Sequence, residues 1–105
     1  MMSIIIVLIP TPDKKTAEKI SAHLLRNRLA ACVQIFPVES AYWWKGKIEN
    51  AKEFVALAKT GAQNFEKIKQ EVKKIHPYEC PEILKIGAEA NQEYEDWLRE
   101  VTKTD

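Results

Sequence analysis

An α+β domain of the split β-α-β kind is predicted by three features of the chain. It opens on an apolar, largely β-branched run from Ile4 to Ile9. Two stretches with apolar residues at helical spacing then flank a long extended segment that a single glycine interrupts. Finally, 105 residues is the size of one domain, so residues 1–105 are read as one unit. The chain shows no repeat, linker or low-complexity tract.

Ile4–Ile9 is apolar at every position, as in a strand covered on both faces. Thr11 is the expected N-cap of the first helix, with Pro12 at its first position and Asp13 suited to the positive helix end. Ala17, Ile20 and Leu24 recur at helical spacing, and the pattern fades near Asn27. From Leu29 the period changes, and LAACVQIFPVESAYWW reads as extended, with a bend at Pro37. Lys45–Lys47 is the reversal, because Gly46 tolerates positive φ, and IENAKEFVALAKT returns as the partner strand. A second helix from Gln63 carries Phe65, Ile68, Val72 and Ile75 in one stripe. Pro77 disfavours helical geometry at His76 and ends it. Glu82–Ile86 is a short strand, and Asn91 caps a last helix bearing Tyr94, Trp97, Leu98 and Val101. The order β-α-β-β-α-β plus a terminal helix is the ferredoxin-like arrangement, one antiparallel sheet with helices on one face.

Composition removes several functions. A net charge of +1 gives no long-range field for nucleic acid or an anionic membrane, so neither is an expected partner. Ser3–Ile9 is too short to span a bilayer and lacks the flanks of a signal peptide, which makes the cytoplasm the expected location. Two distant cysteines, Cys32 and Cys80, fall short of the four thiolates of an iron–sulfur cluster. They are read as reduced. The first loop, PTPDK, has no paired thiols for metal transfer and no Arg for phosphate. The central strands lack the paired aromatics of an RNA-binding sheet.

The hairpin from Leu29 to Thr60 is long for this chain. Arms of about fifteen residues span on the order of 50 Å, more than the helices can cover. Tyr42, Trp43 and Trp44 lie near its tip and would form an apolar patch that monomers seldom tolerate. An oligomer joined through these residues is expected, although folding back onto the core would also cover them.

LAACVQI, ESAYWWKGKIE, ALAKT and HPYECPEI, with YEDWL near the end, resemble in order and spacing the signature segments of the CutA divalent-cation tolerance family. The resemblance covers essentially the whole chain. It implies a ferredoxin-like homotrimer similar to PII signal-transduction proteins, with the hairpins building the trimer. It also implies binding of copper or another divalent cation, no organic cofactor and no enzymatic activity. The alternative is a PII-like signalling or scaffold trimer whose inter-subunit clefts, lined by Trp44, Lys59 and Tyr78, bind a small ligand or protein partner.

Cys32, His76, Glu79 and Cys80 are the candidate metal ligands, since thiolate with imidazole suits copper and zinc. Prolines at 77 and 81 keep their segment extended or turned. In an extended chain His76 and Cys80 sit roughly 13 Å apart. A site therefore needs Cys32 or a second subunit. Each residue has a structural reading beside this one. His76 can serve as an imidazolium at a helix C-terminus, and both thiols can be small hydrophobes. Tyr78 can pack its ring and bond through its hydroxyl. Glu79 and Glu82 can pair with Lys59 or Lys85. A nucleophilic Cys32 with His76 as base ranks last, because no third orienting group is evident. The chain also departs from metal-rich members: VLIPTP ends the first strand without a thiol, and a single His precedes Pro77.

Overall fold

In the computed structural model, which describes residues 3–103, the elements are β1 (Ile4–Thr11), α1 (Lys14–Arg26), β2 (Cys32–Trp44), β3 (Lys47–Gly61), α2 (Phe65–Ile75), β4 (Leu84–Ala88) and α3 (Gln92–Val101). The four strands form one antiparallel sheet in the order β2-β3-β1-β4. This is the expected split β-α-β arrangement, with one correction: α1 and α2 share a face, but α3 lies against the other, where Lys59 sits over its Tyr94 ring. Strand alternation points Ile5, Val7 and Ile9 of β1 and Ala56 and Ala58 of β3 to one face. There they meet Ala17, Ile20 and Leu24 of α1 and Phe65, Ile68 and Val72 of α2. Each large aliphatic side chain fully buried here contributes roughly 1.5–3 kcal/mol.

Several boundaries differ from the sequence reading, each for a local reason. β1 continues two residues past Ile9, because Thr11 pairs with Phe54 and its buried hydroxyl donates to the Phe54 carbonyl at 2.8 Å. The N-cap of α1 is therefore Asp13, whose carboxylate accepts from the Thr16 N–H at 2.7 Å. That backbone bond also lowers the Asp13 pKa. α2 starts at Phe65, after a single 3-10 turn over Ala62–Asn64, rather than at Gln63. It stops at His76, which is extended (φ −79°, ψ 133°) as Pro77 requires. β4 begins at Leu84 rather than Glu82, and Asn91 occupies the N-cap of α3 without a side-chain capping bond. Of the α3 stripe, only Leu98 is fully buried.

The hairpin has arms of 13 and 15 residues, paired without interruption from Cys32–Lys59 to Trp44–Lys47 and through Pro37. Pro37 is tolerated because β2 is an edge strand. Lys45 and Gly46 both have positive φ (51° and 81°), the two-residue turn whose twist matches the strands. Gly46 suits this conformation, and Lys45 adopts it with strain.

Candidate functional site

The stretch HPYECPEI is the connector between α2 and β4, and its first residues are fixed by buried polar contacts. His76 is 8% exposed. Its Nε2–H donates to the Pro10 carbonyl at 2.8 Å, and its Nδ1 accepts from the Tyr78 N–H at 3.1 Å. These partners assign a neutral Nε2–H tautomer. They also occupy both ring nitrogens, leaving neither lone pair for a metal. The Pro10 carbonyl is free for this bond because β4 pairs with β1 only as far as Leu8. Pro10 also has no N–H to leave unpaired on that open edge.

The Tyr78 ring packs against His76 at a 4.8 Å centroid distance, and its hydroxyl donates to Glu53 Oε2 at 2.6 Å. Burial and then the Glu53 carboxylate push the Tyr78 phenol well above its ordinary pKa. Glu53, only 6% exposed on β3, thereby gains the donor a buried carboxylate needs. It escaped the sequence reading because nothing distinguishes it from its polar neighbours Lys52 and Asn50. The connector is thus held to β1 and β3 by neutral and acidic groups. The imidazolium role considered for His76 does not fit this geometry.

The four candidate ligands do not converge within one chain. Cys32 is half-buried at the start of β2, level with Lys59 and Ile6, whereas His76 meets β1 at Pro10. Four residues of strand, about 13 Å, separate those levels. Glu79 is exposed, with Lys45 at the hairpin turn 3.9 Å away, and Cys80 is exposed beside it. Among the described residues, no three His, Cys, Asp or Glu side chains could share a metal ion. The donors present in a single chain therefore do not make a copper site. The suggested pairing of Glu79 with Lys59 or Lys85 gives way to Lys45. Lys59 instead lies over the Tyr94 ring at 6.0 Å, and Lys85 over Phe65 at 4.8 Å.

The cleft residues are also dispersed. Trp44 pairs at the hairpin tip, and Lys59 pairs opposite Cys32 at its base. Twelve residues of strand, about 40 Å, lie between them. Any cleft containing both must take them from different subunits.

The hairpin aromatics are exposed as expected: Tyr42 41%, Trp43 72% and Trp44 38%. Ile48 pairs with Trp43 and extends the patch. A second apolar area escaped the sequence reading. On the face of the sheet away from α1 and α2, the register aligns Ile6 with Ile86 and Leu8 with Leu84. Phe36 stands on the same face of β2. Phe36, Leu84 and Ile86 are all exposed. The signal was present in β1, whose apolar residues on both faces call for cover on both.

The segments that carry this geometry run through nearly the whole chain, and so does a family match. The sequence pattern of the CutA1 divalent ion tolerance protein fits residues 5–101. The chain belongs to the CutA1 family. A divalent-cation tolerance protein CutA from Thermus thermophilus is 46% identical over 99 residues, covering 92% of this chain and 96% of that one. Its Archaeoglobus fulgidus counterpart is 42% identical over 98 residues, covering 92% and 96%. A solved CutA structure from A. fulgidus, described as periplasmic, superposes with a TM-score of 0.92 at 40% identity, covering 95% of this chain and 99% of that one. The rice CutA1 structure gives 0.93 at 30% identity, covering 99% and 97%. The CutA fold is thus shared along the chain, hairpin and connector included. Among the described residues, no helix is long and apolar enough to cross a membrane.

Proposed function

We propose that this CutA1 chain serves divalent-cation tolerance as a cytoplasmic homotrimer that binds copper or another divalent ion between subunits, and that it is not an enzyme. The observation that carries the assembly is the open face of the sheet. Phe36, Leu84 and Ile86 lie exposed there beside half-buried Ile6 and Leu8, and the hairpin aromatics add a second uncovered patch. Apolar area of this kind marks subunit contacts. For the ion, Cys32, Glu79 and Cys80 remain as donors. His76 serves the connector, and its nitrogens are engaged. Thiolate with carboxylate suits soft to borderline divalent ions once a neighbouring subunit completes the set.

The test is a copper(II) and zinc(II) titration of the purified protein beside Cys32→Ala, Cys80→Ala and His76→Ala variants. The expected result is weaker binding in the two cysteine variants and unchanged stoichiometry in His76→Ala. Unchanged binding in both cysteine variants would defeat the ligand assignment. A dominant effect of His76→Ala in a folded protein would restore the imidazole as a ligand.

A further inference from the structure

The whole-chain charge of +1 hides a segregation of charge. Together α1 and α2 carry eight Lys or Arg against three Glu, a net +5, which leaves the rest of the chain at −4. Their apolar stripes are spent on the closed core, so these charges face outward, on the side of the sheet opposite the uncovered apolar face.

Each helix returns along the strand before it, and β1 and β3 are antiparallel, so α1 and α2 are antiparallel as well. Their register is fixed where His23 of α1 meets Glu71 of α2 at 2.9 Å. One turn either side of His23 lie Lys19 and Arg26, and one turn either side of Glu71 lie Lys74 and Lys67. The register sets Lys19 beside Lys74 at one end of the inter-helix groove and Arg26 beside Lys67 at the other. All four cations are exposed. Glu71, half-buried at the middle of the groove, already pairs with His23, with Lys74 at 2.8 Å and with Lys67 at 3.9 Å. Lys19 and Arg26 enter no ion pair among the described residues. One carboxylate among four permanent cations leaves the groove strongly positive.

The spacing narrows the partner. Seven helical residues separate Lys19 from Arg26, about 10 Å along the axis. Residues three apart in an extended chain span the same distance, about 10 Å. We propose that the α1–α2 groove docks an extended acidic peptide segment whose two carboxylates stand three residues apart. One carboxylate sits between Lys19 and Lys74, the other between Arg26 and Lys67, where the guanidinium can bond it through two N–H groups. The two neutral residues between them pass over Glu71. A continuous row of phosphates would meet that carboxylate instead, which disfavours a nucleic acid or an anionic lipid surface. The contacts are exposed, so binding is weak and sensitive to salt. The groove uses neither the proposed metal donors nor the apolar patches assigned to subunit contacts.

A suitable probe is a capped hexapeptide with glutamate at its second and fifth positions and threonine elsewhere. It is titrated into the assembled, metal-free protein and followed by backbone amide resonances. Saturable shifts are expected at Lys19, His23, Glu71 and Lys74, and they should fade as salt is raised. The glutamine analogue should bind at least about tenfold more weakly, as lost charge-assisted contacts imply. A peptide with adjacent glutamates should bind severalfold more weakly than the spaced one. Lys19→Gln and Arg26→Gln should each weaken binding severalfold, whereas Lys14→Gln, on the flank of α1 away from α2, should leave it unchanged. Equal binding of the spaced and adjacent peptides would overturn the proposal, as would unaffected Lys19→Gln and Arg26→Gln variants or an absence of saturable shifts. Phosphatidylserine vesicles or duplex DNA shifting the same amides at a lower concentration of charge would overturn it in favour of a lipid or nucleic-acid partner.

Discussion

The two faces of the sheet are made from the same strands but end in different states. On one, Val7, Ile9 and Ala58 are fully buried under α1 and α2. On the other, Ile86 and Leu84 stand about half exposed beside β1. Alternating side chains of β1 serve both, so local sequence cannot distinguish them. What differs is the supply of cover. The chain has two long amphipathic helices for one face, while α3 reaches the other only near Tyr94 and Lys59. A sheet with apolar residues on both sides and its two long helices on one is an incomplete core, which the proposed assembly would complete.

Substitutions on the two faces should therefore fail in different ways. Ile68→Ala leaves a cavity in the closed core and is expected to cost about 2–5 kcal/mol in denaturant unfolding while assembly persists. Ile86→Asp, on the open face, should weaken association by about a hundredfold or more in dilution experiments, because an aspartate would be desolvated at the interface. If Ile86→Asp assembled normally, the contrast between faces would collapse.

Smaller effects sharpen the picture away from the faces. Tyr78→Phe removes the donor to buried Glu53 and should cost about 1.5–3 kcal/mol, read by thermal or denaturant unfolding. A negligible loss would mean that the connector is not held there. Glu71 offers the mildest test. It joins α2 to α1 through His23 at 2.9 Å and bonds Lys74 at 2.8 Å. The Lys74 bond, then the His23 bond, lower its pKa to about 2. With the folded value below the unfolded one, its contribution is complete above about pH 4.5 and is lost as pH falls toward 2. Glu71→Gln should lower stability modestly at neutral pH, where the contribution of the carboxylate is complete, and flatten the acid limb over that window, with little change near pH 2.

The sequence carried most of the fold, and its failures have physical causes. The stripe Phe65–Ile68–Val72, the stop at His76 and the turn at Gly46 were legible because period and backbone restriction act locally. Thr11 was misread as a cap because its pairing with Phe54 lies 43 residues away. The polar site was less legible for the same reason. His76, Tyr78 and Glu53 look like ligands, or like ordinary surface residues, until the fold brings Pro10 against one and the Tyr78 hydroxyl against another. Cys32 and His76 appeared combinable because sequence does not show that they occupy different levels of the sheet. The open face was implied by β1 but became visible only when β4 placed Ile86 beside Ile6.

Sedimentation equilibrium on the metal-free protein at micromolar concentration tests the incomplete-core account most directly. The account predicts a species of about 36 kDa, three times the 12.1 kDa chain. A stable 12.1 kDa monomer at that concentration would contradict it.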